Sequence, residues 1–323
     1  MRLLNFISHH SAFFMILATI VGFLFPNLAD VVLPYLPMVL FFLMFFTLMA
    51  INQHQLIRAL MQASVWLYAV LHTVGMSVLF IGVCYGLGMR GDLLLAIAAI
   101  MATGSLFATP AIVRSIGFEP LYAMALTIAS TLMMPIVLFA NLWLFQTGSV
   151  SLDMVLYVKR LLIFIAGPMV LSALVHRWVA EAVLLKVHQQ LSKVTMLLVM
   201  SFPLGLIGTF RSVFDTEPMH ALALLILSMA IVTVLFWLNF YLYRKSSIEH
   251  RISAAVASGG RNVLLTLTIA APFLGTQYLA LIGAMQLPIY ALPLVSRSWM
   301  RWQARAHHAV IPHKMTDEDD VVL

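Results

Sequence analysis

Charged residues are scarce in this chain, and acidic residues are absent from its long apolar runs. Only 9% of the 323 residues are charged, whereas 63% are hydrophobic, and the mean hydropathy is +1.01. Soluble domains of this length do not have such a composition. We therefore interpret the chain as a multi-pass integral membrane protein that has the lipid bilayer as a partner. The twelve carboxylates lie between apolar runs or in the tail, at Asp30, Asp92, Glu119, Asp153, Glu181, Asp215, Glu217, Glu249, Asp317, Glu318, Asp319 and Asp320.

Cysteine is nearly absent as well, since Cys84 is the only one. This excludes an intramolecular disulfide and a metal site built from cysteines. Five of the eleven histidines lie near the termini, where incidental metal binding is expected rather than a dedicated site, and we predict no cofactor. The net charge of +6 comes from basic residues spread thinly over the loops, which argues against a nucleic-acid partner.

Ten apolar runs have a suitable length for membrane spans, since a helix needs roughly 20 apolar residues to cross ~30 Å of hydrocarbon. An even number of spans places both termini on the same side of the membrane. Thirteen of the eighteen Lys and Arg residues would lie on that side, four would lie on the opposite side, and Arg261 would lie inside a span. This distribution predicts that both termini are cytoplasmic, in a bacterial inner membrane. The runs lie near 11–28, 34–52, 62–87, 93–114, 120–146, 158–175, 192–210, 219–243, 252–274 and 277–296.

Ten spans also divide into two units of five, and a duplicated unit with an odd number of spans has its second copy upside down in the membrane. We predict two inverted five-helix repeats, over residues 1–150 and 151–303. A polar cytoplasmic tail over residues 304–323 is too short to form a domain and is predicted to be disordered.

Helix breakers interrupt the fourth and ninth spans, which are equivalent under this division. Residues 102–110 read Ala-Thr-Gly-Ser-Leu-Phe-Ala-Thr-Pro, and residues 257–262 read Ala-Ser-Gly-Gly-Arg-Asn. Thr109 is predicted to cap a second half-helix that has Pro110 at its first position. The alternative is that the glycines only allow close helix packing.

Arg261 follows Arg251 by ten residues, which places it roughly 15 Å deep and near the bilayer midplane. A guanidinium group at this depth costs from about 2.5 to above 10 kcal/mol. Because no acidic residue shares the membrane with it, we predict that Arg261 anchors a small organic anion, a carboxylate or oxyanion. We also expect Arg261→Ala to fold, because it removes an unpaired cation. The alternative is that Arg261 satisfies unwound backbone carbonyls and locks the break.

The sequence resembles the bile acid/sodium symporter family, BASS, a wider group that includes organic-anion and arsenite transporters. The resemblance covers nearly the whole chain and depends on the order and spacing of diffuse motifs. It implies two inverted five-helix repeats, with spans four and nine broken and crossing behind a substrate cavity. The motifs are Gly22-x3-Pro26, Pro34-x2-Pro37 before a Met-rich second span, the Thr109 to Pro135 stretch with its Ala-Leu-Thr-Ile-Ala-Ser-Thr core, and the Gly-x-Arg-Asn break that ends at Asn262.

The chain departs from the family pattern at positions that the resemblance assigns to sodium binding. Ala257 stands at the sodium-binding carboxylate of the pattern Glu-x-Gly-x-Gln-Asn, and Arg261 stands at its glutamine. Pro110 replaces the usual Asn in span four, and Ala123 replaces a Ser in span five. His72 aligns with a Gln that serves the second sodium site.

Thr109 and Thr127 remain as residual cation-site positions. A carboxylate strongly favours sodium binding in a medium of low dielectric constant, and this chain has Ala257 at that position. We therefore do not expect sodium coupling. One reading is that the guanidinium group of Arg261 does permanently what a bound cation does transiently. It would hold positive charge beside half-helix N-termini, which also favour anions.

Further candidate residues lie at the breaks and in span three. Asn262 either contacts the substrate or caps the second half-helix. The hydroxyl groups of the serine and threonine residues at the breaks either bind the substrate or donate to backbone carbonyls of their own helix. His72 is the only histidine centred in a predicted span, and it is either a carrier of coupled protons or a neutral packing residue. The candidates for substrate contact besides Arg261 are Asn262, Ser258, Thr103, Ser105 and Thr109.

These observations together predict a secondary-active transporter that moves small organic anions by alternating access and is independent of sodium. Two alternatives stay open, namely a sodium-coupled symporter of the bile-acid type and a transport-inactive anion sensor or scaffold. We do not predict an enzyme, because the spans contain no paired carboxylates, no His/Asp metal cluster and no nucleophile with an adjacent base.

Overall fold

A computed structural model of the chain describes residues 11–49, 51–145 and 153–307. These residues form α-helices with short 3₁₀ and π-helical turns, and we number the α-helices in chain order. They are α1 (Ser11–Leu24), α2 (Pro26–Val32), α3 (Leu36–Met49), α4 (Gln53–Leu60), α5 (Ala63–Val70), α6 (Met76–Gly86), α7 (Gly91–Ala102), α8 (Thr109–Ile116), α9 (Pro120–Phe145), α10 (Met154–Leu161), α11 (Gly167–Trp178), α12 (Glu181–Thr216), α13 (Pro218–Leu242), α14 (Ile248–Gly259), α15 (Val263–Ala270) and α16 (Thr276–His307).

The described part of the chain has seven helical segments that are long and apolar enough to cross a membrane. Helices satisfy their own backbone polar groups, which is why apolar sequences of this length adopt them in hydrocarbon. The prediction of an all-helical, multi-pass membrane protein is confirmed at this level. The seven segments are Pro26–Met49, Ala63–Gly86, Pro120–Phe145, Met154–Trp178, Leu197–Thr216, Pro218–Leu242 and Thr276–Met300.

Three shorter apolar helices coincide with the first, fourth and ninth predicted spans. They cover Phe13–Leu24, Gly91–Ala102 and Val263–Phe273. The last two are short because the fourth and ninth spans are each divided into two helices, α7 with α8 and α14 with α15. The two predicted breaks are therefore present in the structure.

The prediction that Thr109 caps the second half-helix of span four is wrong. Thr109 is itself the first residue of α8, the N-cap residue is Ala108, and no side chain caps this end. The backbone N–H of Thr109 donates to the Leu106 carbonyl at 2.9 Å, so the turn that begins at Leu106 already brings Thr109 into helical conformation. A residue inside the first turn no longer has the extended backbone that an N-cap side chain needs.

The helices pack as two groups that meet along α16. In the first group, α12 packs on α1, α2 and α3, and α11 packs on α3. In the second group, α9 packs on α5, α7, α8 and α14, while α13 packs on α14 and α16. The groups are joined where α16 contacts α12 and α1, and also where α13 contacts α12. The break of span four lies in the second group, whereas α15, which follows the break of span nine, packs on α3 and α10.

Glycines set the distance between α12 and two of its neighbours, α1 and α16. A Cβ atom at Gly22 in α1 would lie 2.3 Å from the carbonyl oxygen of Leu204 in α12. A Cβ atom at Gly283 in α16 would lie 2.8 Å from the carbonyl oxygen of Leu206. Small residues of this kind allow close backbone approach in membrane proteins, where helix association depends on packing.

The C-terminal end differs in part from the predicted domain boundaries. Helix α16 continues to His307, four residues beyond the predicted end of the second repeat at residue 303. The rest of the predicted polar tail, residues 308–323, lies outside the described residues, as do residues 146–152 at the predicted repeat boundary.

Replacement of Gly22 by alanine tests the contact between α1 and α12. We expect Gly22→Ala to lower the free energy of unfolding by about 1–3 kcal/mol, because the new methyl group collides with backbone that cannot move alone. Gly82→Ala is the matched control, since its added Cβ would have no contact within 4 Å beyond the backbone of its own helix and its chain neighbours. The control should be neutral or stabilising by up to about 1 kcal/mol. Unfolding of purified protein in detergent measures both variants, and equal stabilities would contradict the assigned contact.

Candidate functional site

The two helix breaks cross, and backbone hydrogen bonds join them. Ser105 and Arg261 form an isolated antiparallel bridge. The N–H of Leu106 donates to the carbonyl of Gly260 at 2.7 Å, and the N–H of Asn262 donates to the carbonyl of Gly104 at 2.8 Å. Each break thus satisfies backbone groups that the other leaves without a helical partner. We call residues 103–108 and 260–262 the crossing.

Glycine is required at the crossing for close approach rather than for a left-handed backbone. Gly260 has φ −84°, and the glycines with positive φ lie elsewhere in the described chain. A Cβ atom at Gly104 would lie 2.9 Å from the backbone nitrogen of Thr131 in α9. A Cβ atom at Gly259 would lie 2.8 Å from a methyl carbon of Leu292 in α16. The crossing therefore packs closely on α9 at Gly104, and the adjacent residue Gly259 packs closely on α16.

Arg261 is fully buried, and its guanidinium group donates to three backbone carbonyls. Nη1 lies 2.9 Å from the carbonyl oxygen of Met101 and 2.8 Å from that of Thr103, and Nη2 lies 3.0 Å from that of His72. No carboxylate of the described residues pairs with it. Arg261 thus has no counter-ion in the described part of the chain, and it satisfies backbone carbonyls at the break, which is the alternative that the sequence left open. Arg261→Ala would leave three buried carbonyls without this partner. That this variant folds stays a prediction.

His72 belongs to the same network. Its Nε2 lies 3.2 Å from the Thr103 carbonyl oxygen, and its Nδ1 lies 2.8 Å from the Tyr68 hydroxyl group. A carbonyl only accepts, so Nε2 carries the hydrogen, and Nδ1 of a neutral ring then accepts from Tyr68. Both ring nitrogens are thus satisfied in a neutral imidazole. The role of His72 in proton coupling stays a prediction.

Four of the predicted hydroxyl groups have hydrogen-bond partners within the protein and are buried. Thr103 and Thr127 donate to carbonyls four residues earlier in the chain, as hydroxyl groups in membrane helices often do. Ser105 instead donates across the crossing to the carbonyl of Ala257. The pairs are Thr103 Oγ1 to Ala99 O at 2.9 Å, Ser105 Oγ to Ala257 O at 2.7 Å, Thr127 Oγ1 to Ala123 O at 2.9 Å, and Asn239 Nδ2 to Ser258 Oγ at 2.7 Å.

Four buried polar atoms at or beside the crossing have no hydrogen-bond partner. They are Thr109 Oγ1, Thr131 Oγ1, Arg261 Nε and Asn262 Nδ2. The Thr109 hydroxyl lies 3.7 Å from the Cβ position of Gly260, and the Thr131 hydroxyl lies 3.0 Å from that of Gly104. The arginine and amide nitrogens are donors only, so the group of atoms favours a ligand that accepts hydrogen bonds.

Asn262 has a second role, because its side-chain oxygen caps α15. Oδ1 accepts from the backbone N–H of Leu265 at 3.3 Å, while Nδ2 remains unpaired. Both readings of Asn262 are therefore compatible, since different atoms of the amide serve them. Capping needs only the acceptor, and a ligand contact needs only the donor.

Sequence reasoning missed Tyr68, Thr131 and Thr266 as members of the site. Tyr68 lies one helical turn before His72, so i, i+4 spacing places the two rings together. Thr131 ends the Ala-Leu-Thr-Ile-Ala-Ser-Thr core, and its position was a usable signal. Thr266, which shares a hydrogen bond with Thr103, had no signal in the sequence, because the two residues are 163 positions apart.

A small cavity lies between the crossing and α12 of the first helix group. Leu106 and Arg261 contribute to it from the crossing, and its remaining walls come from α12, α15 and α16. Most of the lining is apolar, with the amide of Gln286 and the ring of Tyr290 among its few polar members. The cavity volume is about 10 Å³, which is room for about one water molecule. The cavity therefore has to widen before it can admit a small organic molecule.

Comparison of the chain with models of known protein families, and with curated protein sequences, finds no match. The resemblance to the bile acid/sodium symporter family thus stays a prediction from the residues quoted above. Among the described residues, no three His, Cys, Asp or Glu side chains are grouped in a way that would hold a metal ion.

Two substitutions of Asn262 separate its cap from its unpaired donor. We expect Asn262→Ala to lower the free energy of unfolding by about 0.5–2 kcal/mol, because α15 loses its cap. Asn262→Ser should keep most of the stability, since a serine oxygen also accepts at an N-cap. Thermal unfolding in detergent measures both. A serine variant as unstable as the alanine variant would mean that the cap assignment is wrong.

Proposed function

We propose that the protein is a secondary carrier that moves small organic anions across a membrane by alternating access, without sodium coupling. The observation that carries the proposal is the set of unpaired donors at the crossing. Two of these atoms, Arg261 Nε and Asn262 Nδ2, have hydrogen to donate and no free lone pair to offer. A carboxylate or other oxyanion satisfies such atoms, and a metal cation does not.

Electrostatics supports the same class of ligand. Arg261 brings a full positive charge that no carboxylate of the described residues balances. Two half-helices begin at the crossing, α8 at Thr109 and α15 at Val263, and helix N-termini favour anions. An anion at this position therefore meets a cation, two helix ends and unpaired donors in a medium of low dielectric constant.

The absence of sodium coupling is supported by the chemistry of the same region. Sodium needs several oxygen ligands, and a carboxylate contributes most where water is excluded. Ala257 and Arg261 are both fully buried there, and the hydroxyl groups of Thr103 and Ser105 already donate to carbonyls. A sodium ion at this place would also lie near the guanidinium group, which repels it.

For the transport cycle we propose two inverted five-helix repeats, with spans four and nine as their broken members and both termini in the cytoplasm of a bacterium. Carriers of this kind bind substrates at discontinuous helices near the bilayer midplane. The cavity between the crossing, α12 and α16 lies where the two helix groups meet. Rocking of one group against the other would open it to each side in turn.

Uptake measurements test the proposal directly. A thermal-shift screen against carboxylates, oxyanions and sterol acids first selects an anion, because ligand binding stabilises the folded state. We then expect saturable uptake of the labelled anion into proteoliposomes, with equal initial rates in sodium and choline media. A steep and saturable sodium requirement would support a symporter of the bile-acid type instead. Binding without uptake would support an anion sensor, and neither binding nor uptake a scaffold.

Asn262→Ser also tests the position of the anion site. The substitution retains the cap but removes the unpaired amide donor, so affinity for the selected anion should fall by roughly 10 to 150-fold, which corresponds to about 1.5–3 kcal/mol. The matched control is Asn52→Ser, because Asn52 also caps a helix, α4, by accepting from the N–H of Gln55 at 3.1 Å. The control should bind with native affinity. Native affinity in Asn262→Ser would place the anion elsewhere.

A further inference from the structure

The guanidinium group of Arg261 is surrounded by carbonyl oxygens from two distant parts of the chain. Met101 and Thr103 lie at the end of α7, and His72 lies in the π-helical turn Leu71–Gly75 between α5 and α6. All three oxygens are 2.8 to 3.0 Å from a guanidinium nitrogen. Three acceptors thus converge on one positive charge, and the charge is covalently attached to the chain.

The carbonyls at the end of α7 have no helical partner of their own. The last carbonyls of a helix carry partial negative charge and need a donor or a cation. The Ala99 carbonyl accepts from the Thr103 hydroxyl group at 2.9 Å, whereas the carbonyls of Met101 and Thr103 accept from Arg261. Inside a membrane no bulk water can replace such a partner.

We infer that the carbonyl oxygens of His72, Met101 and Thr103 form a monovalent-cation site that the side chain of Arg261 fills. Backbone carbonyls converging on a point are the ligands that proteins use to replace the hydration shell of alkali cations. The native protein therefore needs no free cation at this place. Removal of the side chain leaves a buried site that a small free cation can enter.

Arg261→Ala tests this inference by cation rescue. The variant is purified in choline chloride, and its thermal unfolding is measured with sodium, potassium or methylguanidinium chloride at matched ionic strength. We expect a saturable rise of about 5 °C in the unfolding midpoint with at least one of the three cations. Choline is too large for the site, so it should have no effect, and the native protein should not respond to any of them.

A matched control distinguishes the site from a single lost hydrogen bond. Arg160 donates from Nη1 to the carbonyl of Thr268 at 2.9 Å, and it is half-buried. Arg160→Ala also leaves a carbonyl without its donor, but only one carbonyl instead of a cluster of three. Its unfolding midpoint should therefore show no saturable response to the three cations. An equal response in Arg160→Ala and Arg261→Ala would overturn the inference.

A second variant covers the case in which Arg261→Ala does not fold in choline. Arg261→Gln keeps one amide donor for the carbonyls and should fold, with a smaller response to the same cations. Arg261→Lys keeps a tethered cation and should not respond. The inference is overturned if neither the alanine nor the glutamine variant responds to any of the three cations, or if neither folds in their presence. These results do not depend on transport, so they separate this inference from the proposed carrier function.

Discussion

The bonds from Arg261 to the carbonyls of His72, Met101 and Thr103 are the interaction on which the centre of the protein depends. A helix that ends within hydrocarbon exposes carbonyls that water cannot reach, and each unsatisfied group costs several kcal/mol. The guanidinium group removes this cost for α7 by donating hydrogen bonds to the carbonyls at its end. The same carbonyls offset the cost of burying the positive charge. The broken helix and the buried cation therefore each make the other possible.

The rest of the crossing follows from this arrangement. With the carbonyl end of α7 held by Arg261, the next residues run extended beside the second break and exchange backbone hydrogen bonds with it. The two backbones and α9 approach so closely that Gly104 leaves no room for a Cβ atom. The chain then re-enters helices at Thr109 and Val263, so the helix N-termini lie at the same crossing.

This geometry separates two kinds of group within one small region. The carbonyls face the guanidinium Nη atoms, whereas the unpaired donors belong to Nε, to the amide of Asn262 and to two threonines. The three carbonyls are thus occupied by the protein, whereas the nitrogen donors of Arg261 Nε and Asn262 Nδ2 remain for a ligand. In the proposed carrier, a cation that is part of the chain stands where a free co-ion would otherwise supply the positive charge, and substrate binding needs no second solute.

Composition and spacing determined much of this from the sequence alone. A chain that is 63% hydrophobic must be a membrane protein, and Gly and Pro residues at 104, 110, 259 and 260 predicted both breaks, because these are local properties. The depth of Arg261 in the membrane, obtained by counting residues, stays a prediction. Tertiary structure decided the partners, since the carbonyls that bind Arg261 lie 158 to 189 positions away along the chain. It also made Thr109 a helical residue instead of a cap and gave Tyr68 and Thr131 their places at the site. No local pattern encodes such contacts, because they form only when two distant breaks are packed against each other.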